Sequence, residues 1–170
     1  VEIEVDQKSE VSAPLYVASQ TSLQRDRISL VLPLTKEDAP RALVLLKTLQ
    51  KVPSGLVHEM LVVCPDAHIT DIHAMFEEYL SQPEQMKNGV AFPLRILEET
   101  SLFNGASIPQ GADKYGLQMA VKLLAANRVR TPFYLTLDAD CVLLKPHLLH
   151  RVLPSGGKAL FEDEPRAVHS

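Results

Sequence analysis

The chain has 170 residues, enough for about one domain with a real core. Its hydrophobic content of 46% with 22% charged residues is ordinary for a globular protein, and a net charge of −4 without any Lys/Arg block argues against nucleic acid or an anionic membrane surface as the main partner. Cys64 and Cys141 lie in or beside apolar runs, which fits buried thiols rather than a disulfide framework, and no spacing resembles a zinc site. No apolar run has the length of a membrane span and no signal peptide is visible, although the sequence opens on Val1 rather than methionine.

Residues 1–27 form a polar lead-in, in which Val1, Ile3 and Val5 alternate with acidic residues and predict a short edge strand. The regular domain, residues 28–170, begins with the apolar run Ile28 to Leu34, a strand buried on both faces with Pro33 at its exit. Ala42, Leu45, Leu46 and Leu49 then recur at helical spacing; Asp38 as N-cap would place Pro40 in the first turn. A second strand is expected over Val57–Cys64, stopped by Pro65-Asp66, then a helix over Thr70–Leu80 with Ile72, Met75, Phe76 and Leu80 as its stripe. Ser81 to Val90 reads as polar loop, Leu94–Leu97 as a third strand, and Glu98 to Asp113 as an exposed loop. Lys114 to Arg128 carries a helical face of Leu117, Ala120, Val121, Leu124 and Ala125 and leads into a fourth strand ending at Asp138. Pro146 to Leu153 suggests a short helix, and Lys158–Phe161 a further strand.

Strands alternating with helices predict an α/β three-layer sandwich around a mostly parallel sheet. Ligands of such sheets bind outside the carboxyl ends of the strands. Those ends carry Thr35 with Lys36, Asp66, Glu98 with Glu99, and the pair Asp138 and Asp140.

The Asp pair is the most informative feature. On an extended backbone the two carboxylates point to one side, where like charges resist joint ionisation unless a cation relieves them. Hard oxygen ligands suit Mg²⁺ or Mn²⁺, which share their shell with substrate phosphates. Asp-x-Asp alone is a weak pattern, because many such pairs merely cap a strand or turn; its place after the most hydrophobic strand strengthens it. Lys114, Gln118 and Lys122 share a helix face nearby and could meet an anionic ligand, although a solvated helix face accounts better for the two lysines and at least as well for Gln118.

The segment Tyr134-Leu-Thr-Leu-Asp138-Ala-Asp140-Cys-Val-Leu-Leu-Lys-Pro146 resembles the metal-binding segment of glycosyltransferases with the GT-A fold. Ile28 to Leu34 resembles the opening strand of that fold, and Gln118 to Ala126 its helix before the motif; only the Asp-x-Asp segment is specific. The resemblance implies transfer of a sugar from a nucleotide-diphosphate sugar to an acceptor, whether glycan, protein or lipid, assisted by Mn²⁺ or Mg²⁺. It implies Asp140 as main metal ligand, Asp138 as ribose or secondary metal contact, and Thr35 and Asp66 facing the nucleotide. It further implies an acceptor half beyond the motif, whereas Ser170 lies thirty residues past Asp140. The expectation is therefore a donor-binding part truncated before the acceptor site, with the catalytic base unassigned. A eukaryotic member with a removed anchor would sit in the Golgi lumen, otherwise in the cytoplasm.

Asp138-Ala-Asp140-Cys-Val142 also fits the Asp-x-Asp-x-Val/Thr pattern of haloacid-dehalogenase-like phosphotransferases, with Asp138 as nucleophile. That fold usually opens with the motif, which here comes late. Nucleotidyltransferases of the same architecture want a glycine-rich basic loop after the first strand, and Leu34-Thr-Lys-Glu-Asp has no glycine. A non-catalytic nucleotide-sugar-binding domain is the remaining alternative.

Overall fold

A computed structural model describes residues 3–5, 27–103 and 113–152. Five strands form one sheet: β1 (Ile3–Val5), β2 (Ile28–Pro33), β3 (Val57–Cys64), β4 (Leu94–Glu98) and β5 (Tyr134–Thr136), in the order β1-β4-β3-β2-β5. Every neighbouring pair is parallel, with Leu30 opposite Met60 and Leu135, and Met60 opposite Leu94. The alternating lead-in does form an edge strand, with Ile3 opposite Leu94. The helices are α1 (Ala39–Leu49), α2 (Ile69–Ser81), α3 (Pro83–Asn88), α4 (Glu99–Leu102) and α5 (Lys114–Leu124). Among the described residues, no helix is long and apolar enough to cross a membrane.

Period-two alternation divides the strands' side chains between two cores. Leu30, Leu32, Met60, Val62, Leu94 and Ile96 meet the stripes of α1 and α2. Val31, Leu61, Val63 and Leu97 meet Leu102, Val121 and Ala125 on the other face. Helices on both sides of a parallel sheet make the expected three layers. Complete burial of Phe76 is worth about 1.5–3 kcal/mol over exposure, and the interior strands add several such terms.

Several local expectations are corrected. The polar stretch after α2 is helical rather than loop over Pro83–Asn88: Gln82 is extended at the N-cap, and proline in the first turn gives up no hydrogen bond. The start of the expected Glu98–Asp113 loop is α4, with Glu99 and Leu102 buried; residues 104–112, like the strand expected at 158–161, lie outside the described residues. Asp38 does precede α1 with proline in the first turn, yet its side chain caps no helix N–H. Its backbone is already helical, so the carboxylate turns instead to Thr35 Oγ1 at 3.1 Å and Arg41 Nη1 at 2.9 Å. α5 has the cap that α1 lacks: Asp113 is extended and accepts from the Gly116 N–H. A Cβ at Gly116 would stand 3.0 Å from the Asp113 carboxylate, so this tight turn favours glycine.

Alternation also buries a polar set at the amino ends of the strands. Arg95 Nη1 donates to Glu59 Oε2 at 2.8 Å, the two side chains being 4% and 1% exposed. Glu59 Oε1 accepts from Ser29 Oγ at 3.0 Å and from the Arg130 N–H at 2.8 Å, and Thr131 Oγ1 donates to Ser29 Oγ at 2.8 Å.

At the end of β3, burial pushes the Cys64 thiol up to about 12, with the negative charges of Asp66, Glu98 and Glu99 adding to it. Thiolate is the reactive form. Folded protein at pH 8 is expected to take one iodoacetamide adduct, at the partly buried Cys141, and two in urea. Mass spectra showing both cysteines alkylated at similar rates in the native state would contradict this placement of Cys64.

Candidate functional site

Because all strands run the same way, their carboxyl ends share one edge of the sheet, and the loops leaving them bound a cavity of about 600 Å³. β2 contributes Pro33, Leu34 and Thr35 to its wall, with Glu37 and Asp38 just beyond. β3 contributes Val63, Pro65 and His68, β4 is followed by Glu99, and α5 closes the side with Lys114, Leu117, Gln118 and Val121. Pockets for small ligands commonly measure about 300–1,000 Å³ with a mostly apolar wall and a few placed polar groups.

The Asp pair stands beside this cavity, in a conformation the sequence did not predict. β5 ends at Thr136, not Asp138, and is the edge strand among the described residues. Leu137 still donates to the Val31 carbonyl at 2.9 Å, after which Cys141 N–H returns to the Asp138 carbonyl at 3.0 Å. Asp138 therefore opens a turn, a position aspartate favours, and Asp140 lies within it. The argument from strand alternation does not apply to them.

The two carboxylates have different surroundings. Asp138 Oδ1 accepts from Lys122 Nζ at 2.7 Å and from Gln118 Nε2 at 3.0 Å, with Lys122 only 14% exposed. Asp140 is exposed and has no hydrogen-bond or ion-pair partner among the described residues. Gln118 thus joins the cavity wall to the Asp turn.

Thr35, Lys114 and Gln118 line the cavity as the sequence suggests. Asp66 is at the same sheet edge but outside the wall, and its carboxylate caps α4 by accepting from Thr100 N at 3.3 Å and Thr100 Oγ1 at 2.5 Å. Two wall residues, Glu37 and His68, went unnoticed in the sequence, and Glu99 was noted there only as lying at a strand's carboxyl end. Each follows a strand by one to four residues, which was the available signal. His68 Nδ1 accepts from the Lys36 N–H at 3.3 Å, tying the β2 and β3 loops together. The Glu37 carboxyl is held below its usual range by its own backbone N–H and the Thr35 hydroxyl, with Lys114 contributing positive charge. Burial pushes the Glu99 carboxyl the other way, above its usual range, and Asp66 adds to the shift.

As a cation site the turn offers two hard carboxylates. Among the described residues no cluster of three or more His, Cys, Asp or Glu could hold a metal. Mg²⁺ commonly takes only one or two protein carboxylates and completes its shell with phosphates and water, so the donor set fits an ion that arrives with a phosphorylated ligand.

Comparison with curated proteins and with solved structures gives no match. A family model does match, over residues 25–170, and its description is "Family of unknown function (DUF6492)". With most of its length inside that match, the chain belongs to the DUF6492 family of unknown function.

Proposed function

We propose that this domain binds a nucleotide-diphosphate sugar, and that the protein is a metal-assisted glycosyltransferase. The observation that carries the reading is the cavity at the carboxyl edge of a parallel sheet, linked through Gln118 to a turn bearing two aspartates. The resemblance of the Asp138–Asp140 segment to GT-A glycosyltransferases supports the same reading.

In this reading Lys122 and Gln118 are positioning residues, because their two bonds fix Asp138 Oδ1 and leave the other carboxylate oxygen for the ligand. Asp140 is the main metal ligand. Mn²⁺ or Mg²⁺, when bound there, would offset the charge left on a departing diphosphate without a proton transfer. Thr35 and Lys114 supply a hydroxyl and a cation to the diphosphate or ribose, and Leu34, Leu117 and Val121 keep water from that contact. Asp66, committed to α4, drops from the nucleotide contacts.

A thermal-shift series of nucleoside diphosphates and their sugars, with and without Mn²⁺, tests the reading. A ligand at a hundred times its Kd stabilises the native state by about 2.7 kcal/mol, roughly 5–10 °C for a chain of this size. The expected result is a shift of that order for at least one nucleotide, reduced without Mn²⁺. No shift with any of them would overturn it. Donor hydrolysis or transfer alongside binding marks an enzyme, and binding without turnover marks a nucleotide-sugar-binding domain.

A further inference from the structure

His68 ties two loops together at the wall of the cavity and keeps one ring nitrogen free. Its Nδ1 accepts from the Lys36 N–H at 3.3 Å, so the proton of the neutral ring sits on Nε2. Nε2 has no hydrogen-bond partner among the described residues, and it is not a buried atom. The free side of the ring is thereby fixed as a donor, and what it lacks is an acceptor.

The loop that His68 holds is fixed at a second point. Lys36 Nζ meets Asp71 Oδ2 at 2.6 Å, which joins residue 36 to the first turn of α2 as well as to His68. Glu37, the next residue, is exposed and lines the same cavity. Among the described residues of the wall, the carboxyl groups of Glu37, Asp38 and Glu99 stand against the ammonium of Lys114. Asp38 is engaged by Thr35 and Arg41, and Glu99 is 8% exposed, so Glu37 is the carboxylate most open to a ligand. A phosphate, which only accepts, would gain the His68 N–H and meet Glu37 as a like charge. A hydroxyl suits both neighbours, because it accepts from one and donates to the other.

We infer that His68 and Glu37 form a hydroxyl-binding pair: Nε2–H donates to a hydroxyl on a sugar ring of the ligand, and that hydroxyl donates to the Glu37 carboxylate. The inference rests on the nucleotide-sugar reading above and deepens it, by naming residues that hold a ring rather than the diphosphate. Ribose and the transferred sugar share this chemistry, and the test separates them.

The test is calorimetric titration, with Mn²⁺, into wild type, His68→Asn, His68→Gln and Glu37→Ala. The ligands are UDP, GDP, ADP and CDP, the 2′,3′-dideoxy form and the hexose conjugates of whichever binds tightest, and inorganic pyrophosphate. Asparagine puts an acceptor where Nδ1 stands, which keeps the tie to Lys36, and puts nothing where Nε2 stands; glutamine puts an amide N–H there. His68→Asn should therefore keep the melting temperature and weaken the ring-bearing ligand roughly 3–10-fold, the net worth of one hydrogen bond. His68→Gln should recover part of that loss, and Glu37→Ala should weaken the same ligand about tenfold or more without weakening pyrophosphate. Pyrophosphate, which has no ring, should bind wild type and both His68 variants alike. A ribose contact shows its loss with the nucleoside diphosphate and not with the dideoxy form; a contact to the transferred sugar shows it with a hexose conjugate alone.

Wild-type affinity of His68→Asn for every nucleotide and conjugate, or an equal loss of pyrophosphate, would overturn the pair and leave the nucleotide reading standing. A dideoxy form that loses as much as a weakened parent would overturn it too, by placing a base edge rather than a hydroxyl on Nε2. Failure of wild type to bind any of the nucleotides or conjugates would remove both proposals together.

Discussion

Replacing Arg95 with methionine is expected to lower the free energy of unfolding by about 3–5 kcal/mol. The side chain it removes is 4% exposed and holds Glu59, itself 1% exposed, at 2.8 Å. Without the guanidinium, Glu59 keeps its bonds from Ser29 and the Arg130 N–H and the half-exposed Arg130 guanidinium at 3.9 Å, but loses its nearer, buried partner. A buried carboxylate left with only that distant cation is costlier than a pair absent altogether. The double variant Glu59→Leu/Arg95→Met should therefore lose less than the two single losses combined. Urea unfolding of the four proteins measures this. A loss below about 1 kcal/mol for Arg95→Met would show that water reaches the pair. Because the pair lies at the amino ends of the strands, ligand binding by the folded variant should be unaffected.

Asp140→Asn and Asp138→Asn should both weaken Mn²⁺-dependent nucleotide binding at least tenfold, about 1.4 kcal/mol, but they should part company in stability. Asp140 is exposed on its turn, so its amide keeps the shape and the melting temperature. Asp138 receives the ammonium of Lys122, which is largely shielded from water, and its amide leaves that cation poorly matched. A loss of up to about 1 kcal/mol follows for Asp138→Asn, because the Asp138 side chain is 47% exposed and its amide oxygen can still accept a hydrogen bond. Chelation should bring wild type down to the level of the Asp140 variant and leave that variant unchanged. Titration showing wild-type affinity for Asp140→Asn in Mn²⁺ would remove Asp140 from the metal site.

The layers were legible because β2, β3 and β4 are apolar runs too short for helices, while the leucines of α1 and the stripes of α2 and α5 recur at helical spacing. α3 and α4 were not legible. Pro83 reads as a breaker until its place in a first turn is known, and α4 is held at Thr100 by a carboxylate thirty-four residues earlier in the chain, that of Asp66. The same contact hid the fate of Asp66, since a strand-end aspartate looks equally suited to a ligand or to a neighbouring helix. Thr35, Lys114 and Gln118 could be placed from strand ends and helix phase alone. Glu99 could not, because only tertiary packing decides whether a glutamate after a strand faces water or a cavity. The turn at Asp138 escaped notice for a related reason: the run Tyr134 to Leu137 stays apolar past the last residue paired as strand.

The parallel ladders also set the order in which this molecule can be completed. Among the described residues no strand pairs through a local hairpin, and β2 meets β5 only late in the sequence; the Ser29 and Thr131 hydroxyls that bond across this junction are 102 residues apart. Topologies with such distant pairings fold slowly. During synthesis, β2, β3 and β4 leave the ribosome before Thr131 and β5 exist, so one side of β2 waits with its backbone N–H and carbonyl groups unpaired, an edge that neighbouring chains can join. The strand that delivers Asp138 to the cavity is also the one that caps this edge. A nascent chain that has not yet acquired its Asp138 turn is therefore also one still open to mispairing.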